Sequence, residues 1–349
     1  MKAVHMTGIK QLHVVDVEMP VPKEDEVLLK VMAVGVCGSD IPRINKKGAH
    51  VSPIIPGHEF AGEIVELGSK VTGWKVSDRV AVAPLIPCFE CKWCKKGEYS
   101  LCDDYKYYGS RNDGAFAQYL AVKATNMVKL EDNIPFDWGA TVDPAANAIH
   151  ACYRANLAED DTVCVFGMGA IGLFAVQYAK ALGVKQVIAV DVTDEKLVAA
   201  KDSGADYMIN SRKVDAVEKV KELTGGEGVS VVLEMSGAPV AQIQAVQVAE
   251  KMGRVVYLGI SNAALEYPKE VVDKILRGQI TITGSWNSFS HPFPGKEWTE
   301  AVRLMSERKL NADKIITHRL ELDDVPEVFR KLDEEPFHFN KIMFYPHGK

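Results

Sequence analysis

The sequence predicts an α/β protein in which a β-rich domain precedes a Rossmann doubly wound parallel-sheet domain. The chain has 349 residues, more than one hydrophobic core usually organises. Short β-rich runs separated by Gly and Pro occupy the first part, whereas apolar strands alternate with helical segments from about residue 161. Such alternation is typical of a parallel sheet covered by crossover helices.

In the first part, the runs of β-forming residues are Val27 to Val36, Glu63 to Leu67 and Arg79 to Ala83. In the second part, the predicted strands are Val163 to Phe166, Val187 to Val190, Val229 to Leu233, Val255 to Leu258 and Ile280 to Thr283, with helices after Ala170 and near 239–250 and 269–277. This order fits the six strands and crossovers of a doubly wound sheet.

A helical stretch near 296–308 and an apolar run from Ile342 to Tyr345 close the chain. We therefore predict a first domain over 1–150, a nucleotide-binding domain over 151–286, and a return to the first domain over 287–349.

Composition narrows the class of protein. The net charge is −6, with 47% apolar and 25% charged residues, and no basic block is long enough to follow a nucleic-acid backbone. The sequence has neither a signal peptide pattern nor an apolar run long enough for a membrane helix. We expect a cytoplasmic protein that binds a small molecule and neither nucleic acid nor membrane.

Four cysteines, Cys88, Cys91, Cys94 and Cys102, follow the spacing C-x2-C-x2-C-x7-C. Four thiolates this close can surround one zinc ion tetrahedrally, so the spacing predicts a structural zinc site, the zinc lobe of residues 88–102. Disulfide pairing is the alternative if the protein is exported.

A glycine-rich segment, Gly167-Met168-Gly169-Ala170-Ile171-Gly172, directly follows a predicted strand and opens a helix. In this context it predicts a dinucleotide site, and Asp191 at the end of the next strand favours NAD over NADP. The predicted cofactor-binding residues are Gly167, Gly169, Ile171, Gly172, Asp191, Lys196 and Gly259. The alternative is an ordinary tight turn in which Asp191 caps the next helix.

A second metal site is indicated by residues far apart in sequence. Cys37, His58 with the adjacent Glu59, and Asp143 offer a thiolate, an imidazole and carboxylates. Three such ligands leave one zinc position open for chemistry. A scattered set like this is weak evidence without its context.

The context comes from several motifs that occur in a fixed order. These are Cys37-Gly38-Ser39-Asp40, Pro56-Gly57-His58-Glu59, the four cysteines, Asp78-Arg79-Val80 and the segment Gly167 to Gly172. Together they make the chain similar to zinc-dependent medium-chain dehydrogenases/reductases, and within them to the polyol dehydrogenases. The resemblance covers essentially the whole chain.

This resemblance implies a GroES-like catalytic domain, NAD, one catalytic and one structural zinc per chain, and a homodimer or homotetramer. It also implies that Cys37, His58 and Asp143 bind the catalytic zinc, that Glu59 is close enough to join them, and that Ser39 relays a proton. Asp143 departs from the Glu usual in close relatives, and Pro42 replaces a His found in many of them, which leaves the outer proton path open.

The implied reaction is zinc-assisted hydride transfer from a secondary hydroxyl of a sugar alcohol or its phosphate to NAD. The cations available for a phosphate are Arg43, Lys46, Lys47 and Arg111, which could equally form a solvated basic face. By resemblance, Trp286 and Asn287 lie near the substrate or nicotinamide. A non-phosphorylated polyol, threonine, butanediol, and a non-catalytic NAD-binding role remain as alternatives.

Overall fold

The computed structural model describes residues 1–261 and 263–348, which form two compact units. The first unit comprises Met1–Asp143, Ser288–Ser306 and the chain from Ile316 onward, and the second comprises Pro144–Asn287 and Glu307–Ile315. The first segment of the first unit thus ends at 143 instead of the predicted 150. Residues 307–315, predicted to belong to the first domain, group with the second unit. Hydrogen bonds between Asn311 and Gln177 contribute to that grouping.

The strands among the described residues are β1 (Lys2–Gly8), β2 (Gln11–Asp16), β3 (Glu26–Gly35), β4 (Glu59–Leu67), β5 (Arg79–Val82), β6 (Leu85–Ile86), β7 (Lys106–Tyr107), β8 (Tyr119–Lys123), β9 (Met127–Lys129), β10 (Thr162–Phe166), β11 (Gln186–Asp191), β12 (Tyr207–Asn210), β13 (Val229–Glu234), β14 (Ala249–Tyr257), β15 (Thr281–Gly284), β16 (Ile316–Glu321) and β17 (Lys341–Tyr345).

The α-helices of the same residues are α1 (Asp40–Pro42), α2 (Phe136–Ala140), α3 (Val142–Arg154), α4 (Ala170–Leu182), α5 (Asp194–Asp202), α6 (Ala216–Leu223), α7 (Pro239–Val248), α8 (Lys269–Gly278), α9 (Lys296–Ser306) and α10 (Val325–Glu334). A π-helical turn, Arg43–Lys47, follows α1. None of these helices is both long and apolar enough to cross a membrane.

The first unit is built on a seven-stranded sheet in the order β16-β17-β3-β4-β5-β9, with β8 also paired to β3. Strand β3 lies at its centre because nearly all its residues are apolar and buried, as expected for a strand covered on both faces. Its core contains Phe60, Phe116, Phe329 and Phe344. The return of β16 and β17 to this sheet brings the end of the chain next to β3, which ends just before Cys37.

The second unit is a six-stranded parallel sheet in the order β12-β11-β10-β13-β14-β15. The five strands located from the sequence are present. Strand β12 was not located, because Tyr207 and Met208 are 41% and 37% exposed at the sheet edge and form no continuous buried run. The strand order reverses between β10 and β13, and open parallel sheets bind ligands at the carboxyl ends of strands at such a point.

Candidate active site and cofactor sites

Cys37, His58 and Glu59 form a compact group of possible metal ligands in the first unit. One ligand atom from each lies within 4.8 Å of the others. His58 and Glu59 are buried and Cys37 is half-buried. Thiolate, imidazole and carboxylate are the ligand types that zinc accepts, so this donor set fits a zinc ion with one position open.

Asp40 contacts two members of this group, His58 and Cys37. Its Oδ1 lies 3.2 Å from His58 Nδ1, and its Oδ2 accepts a 3.1 Å hydrogen bond from the Cys37 backbone N–H. Because Nδ1 faces Asp40, Nε2 is the ring nitrogen left for a metal. Burial opposes charge on His58, but Asp40 and Cys37 outweigh it and raise the pKa of His58 well above its usual value.

Lys341 is a residue of this site that sequence reasoning missed. Its Nζ donates to Glu59 Oε2 at 2.5 Å and to the Val36 carbonyl at 2.9 Å, and both charged side chains are buried. A Cβ added at Gly35 would lie 2.7 Å from Glu59 Oε2, so this glycine leaves the space that the carboxylate fills. The sequence signal for Gly35 was its place directly before Val36-Cys37, whereas Lys341 had none.

Asp143 lies outside the group of Cys37, His58 and Glu59. It is nevertheless buried and close enough to interact electrostatically with His58, Glu59, Lys341 and Asp40. Burial raises the pKa of Asp143 to about 7, against the opposing effect of His58. The geometry therefore favours Glu59 over Asp143 as the carboxylate of the metal-binding group, and the predicted role of Asp143 as a ligand stays a prediction.

Ser39 lies next to Cys37. Its hydroxyl is 3.3 Å and its backbone N–H 3.5 Å from Cys37 Sγ, and the residue directly precedes α1. The hydroxyl is thus beside the metal-binding group, where a proton relay would need it. The relay itself stays a prediction.

Two of the four cations considered for phosphate binding act on the same histidine. The pKa of His50 is lowered by burial and then by the charges of Arg111 and Arg43. Lys46 instead interacts with Asp333, and Lys47 is exposed. The expected basic group therefore reduces to Arg43 and Arg111.

Arg43 contacts Asp40 directly, whereas Arg111 is linked to the metal-binding group through two tyrosine rings. Arg43 Nη1 lies 3.2 Å from Asp40 Oδ1, the same oxygen that faces His58. The Arg111 guanidinium lies 4.6 Å from the centre of the Tyr105 ring, which contacts Tyr107 edge to face. Tyr107 in turn contacts the His58 ring, with 5.6 Å between ring centres.

The zinc lobe brings the Sγ atoms of Cys88, Cys91, Cys94 and Cys102 within 4.8 Å of one another. The Sγ atoms of Cys88 and Cys94 are 4.0 Å apart, far beyond a disulfide bond. Backbone N–H groups of Cys94 and Asp103 lower the pKa of Cys91 to about 6. Four converging thiols with amide donors to sulfur fit a tetrahedral zinc site.

The glycine-rich segment has the shape of a pyrophosphate cradle in the second unit. Gly167 adopts φ +91°, and a Cβ at Gly172 would lie 1.9 Å from the Gly167 carbonyl oxygen, so both positions require glycine. A Cβ at Gly169 would meet no described atom within 4 Å, which leaves the backbone accessible to a ligand. The segment leads into α4, whose first-turn N–H groups have no intrahelical acceptor.

Asp191 lies at the edge of this cradle and accepts hydrogen bonds from its backbone. Its Oδ2 accepts a 2.7 Å bond from the Met168 N–H, and its Oδ1 accepts bonds from Val192 and Thr193. The sequence indicated a ribose-binding carboxylate here, but these backbone contacts require the folded strand end. A carboxylate fixed beside the cradle fits a dinucleotide with a free ribose diol.

For the remaining predicted residues, the structure gives positions but no contacts with a ligand. Ile171 is in the first turn of α4, Lys196 is a half-buried residue of α5, and Gly259 follows β14. Trp286 is 49% exposed and Asn287 has φ +54°, both at the end of a segment of the second unit. Their predicted contacts with cofactor or substrate stay predictions.

Comparison with protein families gives two matches. Residues 23–132 match the alcohol dehydrogenase GroES-like domain, and residues 170–307 match the zinc-binding dehydrogenase model. These matches confirm the predicted fold class of a GroES-like domain joined to a Rossmann domain.

Individual proteins are similar over most of the chain. Galactitol 1-phosphate 5-dehydrogenase of Escherichia coli K12 is 40% identical over 309 residues, 88% of this chain and 89% of the relative. Sorbitol dehydrogenase of Bacillus subtilis is 33% identical over 99% of this chain and 97% of its own. The crystal structure of galactitol-1-phosphate dehydrogenase from Escherichia coli superposes with a TM-score of 0.95 at 38% identity, covering 99% of this chain and 100% of that one.

Proposed function

Because the chain belongs to the zinc-dependent medium-chain dehydrogenase/reductase family, among its polyol dehydrogenases, we propose that it oxidises a secondary hydroxyl of a sugar alcohol phosphate with NAD as hydride acceptor. The leading reaction is conversion of galactitol 1-phosphate to tagatose 6-phosphate. Motifs similar to that enzyme are Cys37 to Arg43, Lys47 to His50, Gly109 to Arg111, Gly284 to Trp286, Pro292, Pro294-Gly295 and Glu297-Trp298.

The phosphate assignment is supported by Arg43, which contacts Asp40 at the metal-binding group, and by Arg111. Arg111 is half-buried and has no carboxylate partner among residues 1–261 and 263–348, so its charge is available to a ligand. Guanidinium groups bind phosphate through two parallel hydrogen bonds. Arg43 is linked to the metal-binding group through Asp40, and Arg111 is linked to it through Tyr105 and Tyr107. In this proposal the hydroxyl end of a polyol phosphate binds at the metal site and its phosphate end binds the arginines.

In the proposed mechanism, Cys37, His58 and Glu59 hold the catalytic zinc, which when bound acts as a Lewis acid on a substrate hydroxyl. Asp40 fixes the His58 ring, and Lys341 balances the charge of Glu59 in the buried site. Ser39, beside Cys37, is placed to receive the hydroxyl proton. The path beyond Ser39 does not use position 42, because Pro42 has no titratable group.

We assign the dinucleotide to the cradle of Gly167 to Gly172, with Asp191 selecting NAD. A 2′-phosphate would meet the Asp191 carboxylate and be repelled. The Asp191→Ser variant should raise KM for NAD far more than KM for NADP. Equal changes in the two KM values would remove this selective role.

A substrate panel tests the phosphate assignment directly. Galactitol 1-phosphate, galactitol and sorbitol are compared at subsaturating concentrations with NAD and with NADP. Arg111→Met should lower kcat/KM for the phosphorylated substrate roughly 10- to 100-fold, the value of a charged hydrogen-bonded pair. Lys106→Met is the control, because this exposed cation lies on β7, close to Arg111 in sequence, and is not a candidate phosphate ligand.

The outcomes separate the candidate functions. Preference for a free polyol, with Arg111→Met neutral, would support a sorbitol-type dehydrogenase, the alternative favoured by the 33% identical relative. Bound NAD with one zinc per chain and no polyol-dependent NADH would support a non-catalytic binder. The expected cytoplasmic location and homodimeric or homotetrameric state stay predictions.

A further inference from the structure

Glu234 is a fully buried acidic residue that the reaction itself does not use. It is the last residue of β13, which pairs with β10 at the point where the strand order of the parallel sheet reverses. Its exposed fraction is 0%. An acidic side chain is rarely this deeply buried unless several donors compensate its charge.

Most donors to Glu234 come from the turn that follows it, and the Gln242 side chain on α7 adds one more. Oε1 accepts hydrogen bonds from the Ser236 N–H at 2.8 Å and the Ser236 hydroxyl at 2.5 Å. Both carboxylate oxygens accept from the Gly237 N–H, at 3.0 and 3.1 Å. Glu234 therefore fixes the conformation of residues 235–237.

The 235–237 turn packs against two neighbouring loops at Gly167 and Gly259, where there is no space for a side chain. A Cβ at Gly167 would lie 2.9 Å from the Ser236 Cβ, and a Cβ at Gly259 would lie 2.0 Å from the Gly237 N. The Glu234 carbonyl also accepts from the N–H groups of Leu258 and Gly259. The turn thus sits between the cradle and the loop after β14.

We propose that Glu234 is a positioning residue for the dinucleotide: its carboxylate holds the 235–237 turn, and the turn holds Gly167 and Gly259 at the spacing the cofactor needs. This inference rests on the proposed function, since it presupposes NAD binding in the cradle. It assigns Glu234 no contact with the cofactor. A shift of the turn would be passed on to Gly167, because the Met235 N–H donates a 2.9 Å hydrogen bond to the carbonyl of Phe166, the residue before it.

The test uses two serines that each donate a hydroxyl to a buried carboxylate in the second unit. Ser236 donates to Glu234 at the carboxyl end of the sheet, and Ser230 donates to Asp161 at 2.7 Å at the amino end. The variants Ser236→Ala, Ser236→Thr and Ser230→Ala are prepared as the full-length, zinc-loaded protein. NADH binding is measured by fluorescence, together with Tm, KM for NAD and kcat at saturating NAD.

Ser236→Ala should weaken NADH binding about tenfold, because it removes the charge-assisted hydrogen bond to Glu234 and the 3.2 Å bond that the hydroxyl accepts from the Ala238 N–H. KM for NAD should rise with it while kcat stays within about twofold, because the residue acts on binding through the loop positions. Ser236→Thr should restore binding, and Ser230→Ala should leave it unchanged even where Tm falls. Glu234→Gln, if folded, should weaken binding at least as much as Ser236→Ala.

Equal NADH affinities for Ser236→Ala and Ser230→Ala would overturn the role of Glu234 while leaving the proposed function standing. Absence of NADH binding by the unmodified protein would overturn both. If Glu234→Gln does not fold, the comparison of the two serine variants decides the matter alone.

Discussion

Replacement of Lys341 by Met would leave the Glu59 carboxylate buried without its cationic partner. The two side chains are 3% and 1% exposed and 2.5 Å apart, so water cannot take the place of the lost ammonium group. Removing one partner of such a pair costs about 3–5 kcal/mol. The Val36 carbonyl also loses its 2.9 Å donor, which costs about 1 kcal/mol more.

A matched exposed pair gives the control. Lys70 and Glu24, in the same unit, are 2.6 Å apart but 71% and 65% exposed. Lys70→Met should therefore cost no more than about 1 kcal/mol. The Lys341–Glu59 and Lys70–Glu24 pairs have nearly the same N–O distance and differ mainly in how deeply they are buried.

Hydrogen exchange of amides in β3 and β17 measures the free energy of opening in the part of the sheet that carries the Lys341 pair. In the double variant Lys341→Met/Glu59→Gln, neither charge remains, so the combined loss should be well below the sum of the single losses. Zinc content is measured alongside by elemental analysis. A loss for Lys341→Met no larger than that for Lys70→Met, or simple additivity of the two changes at the site, would refute the stabilising role of the buried pair.

Three further predictions concern other parts of the molecule. Cys102→Ser should lose one zinc per chain and lower Tm, whereas Cys152→Ser, which changes a buried thiol outside the lobe, should keep both zinc ions by elemental analysis. Gly35→Ala should reduce catalytic zinc and Tm, because its Cβ would lie 2.7 Å from Glu59 Oε2; unchanged zinc content would contradict this. Burial raises the pKa of Glu234 above its ordinary 4.5, so the folded state binds the proton more tightly than the unfolded state. The stability advantage of wild type over Glu234→Gln should therefore be largest at low pH and fall as pH rises from about 4.5 through the folded pKa, which paired unfolding curves can check.

The parts of the molecule that local sequence predicted are those whose ligands or turns lie close together in the chain. The four cysteines span 88–102, and the cradle spans 167–172, so spacing alone indicates their geometry. The central strand β3 followed from its β-forming run, Val27 to Val36, which is apolar apart from Lys30. The exposed edge strand β12 lacked that pattern and was missed for the same physical reason.

The catalytic group was only partly predictable, because its members meet through long-range packing. The family resemblance implied Asp143 as the carboxylate ligand and Glu59 as close enough to join it, a ranking that residue types and spacing alone could not supply. The structure separates them, since Glu59 groups with Cys37 and His58 while Asp143 does not. Lys341 is 282 positions from Glu59 and belongs to no recognised motif, so only the return of β17 beside β3 reveals it.

The charges of the side chains around this site bear on the charge of the metal ion that it would hold. Four acidic groups interact here, Cys37, Asp40, Glu59 and Asp143, and two permanent cations face them, Arg43 and Lys341. Metal ligands must be deprotonated to bind, and in that state, with all four acids ionised and His58 neutral, the group without its metal carries two net negative charges. A divalent cation brings it to neutrality, and a buried site strongly disfavours any residual charge. Lys341 therefore does more than pair with Glu59: without it the same ligands would carry three negative charges, and one divalent ion would no longer balance them.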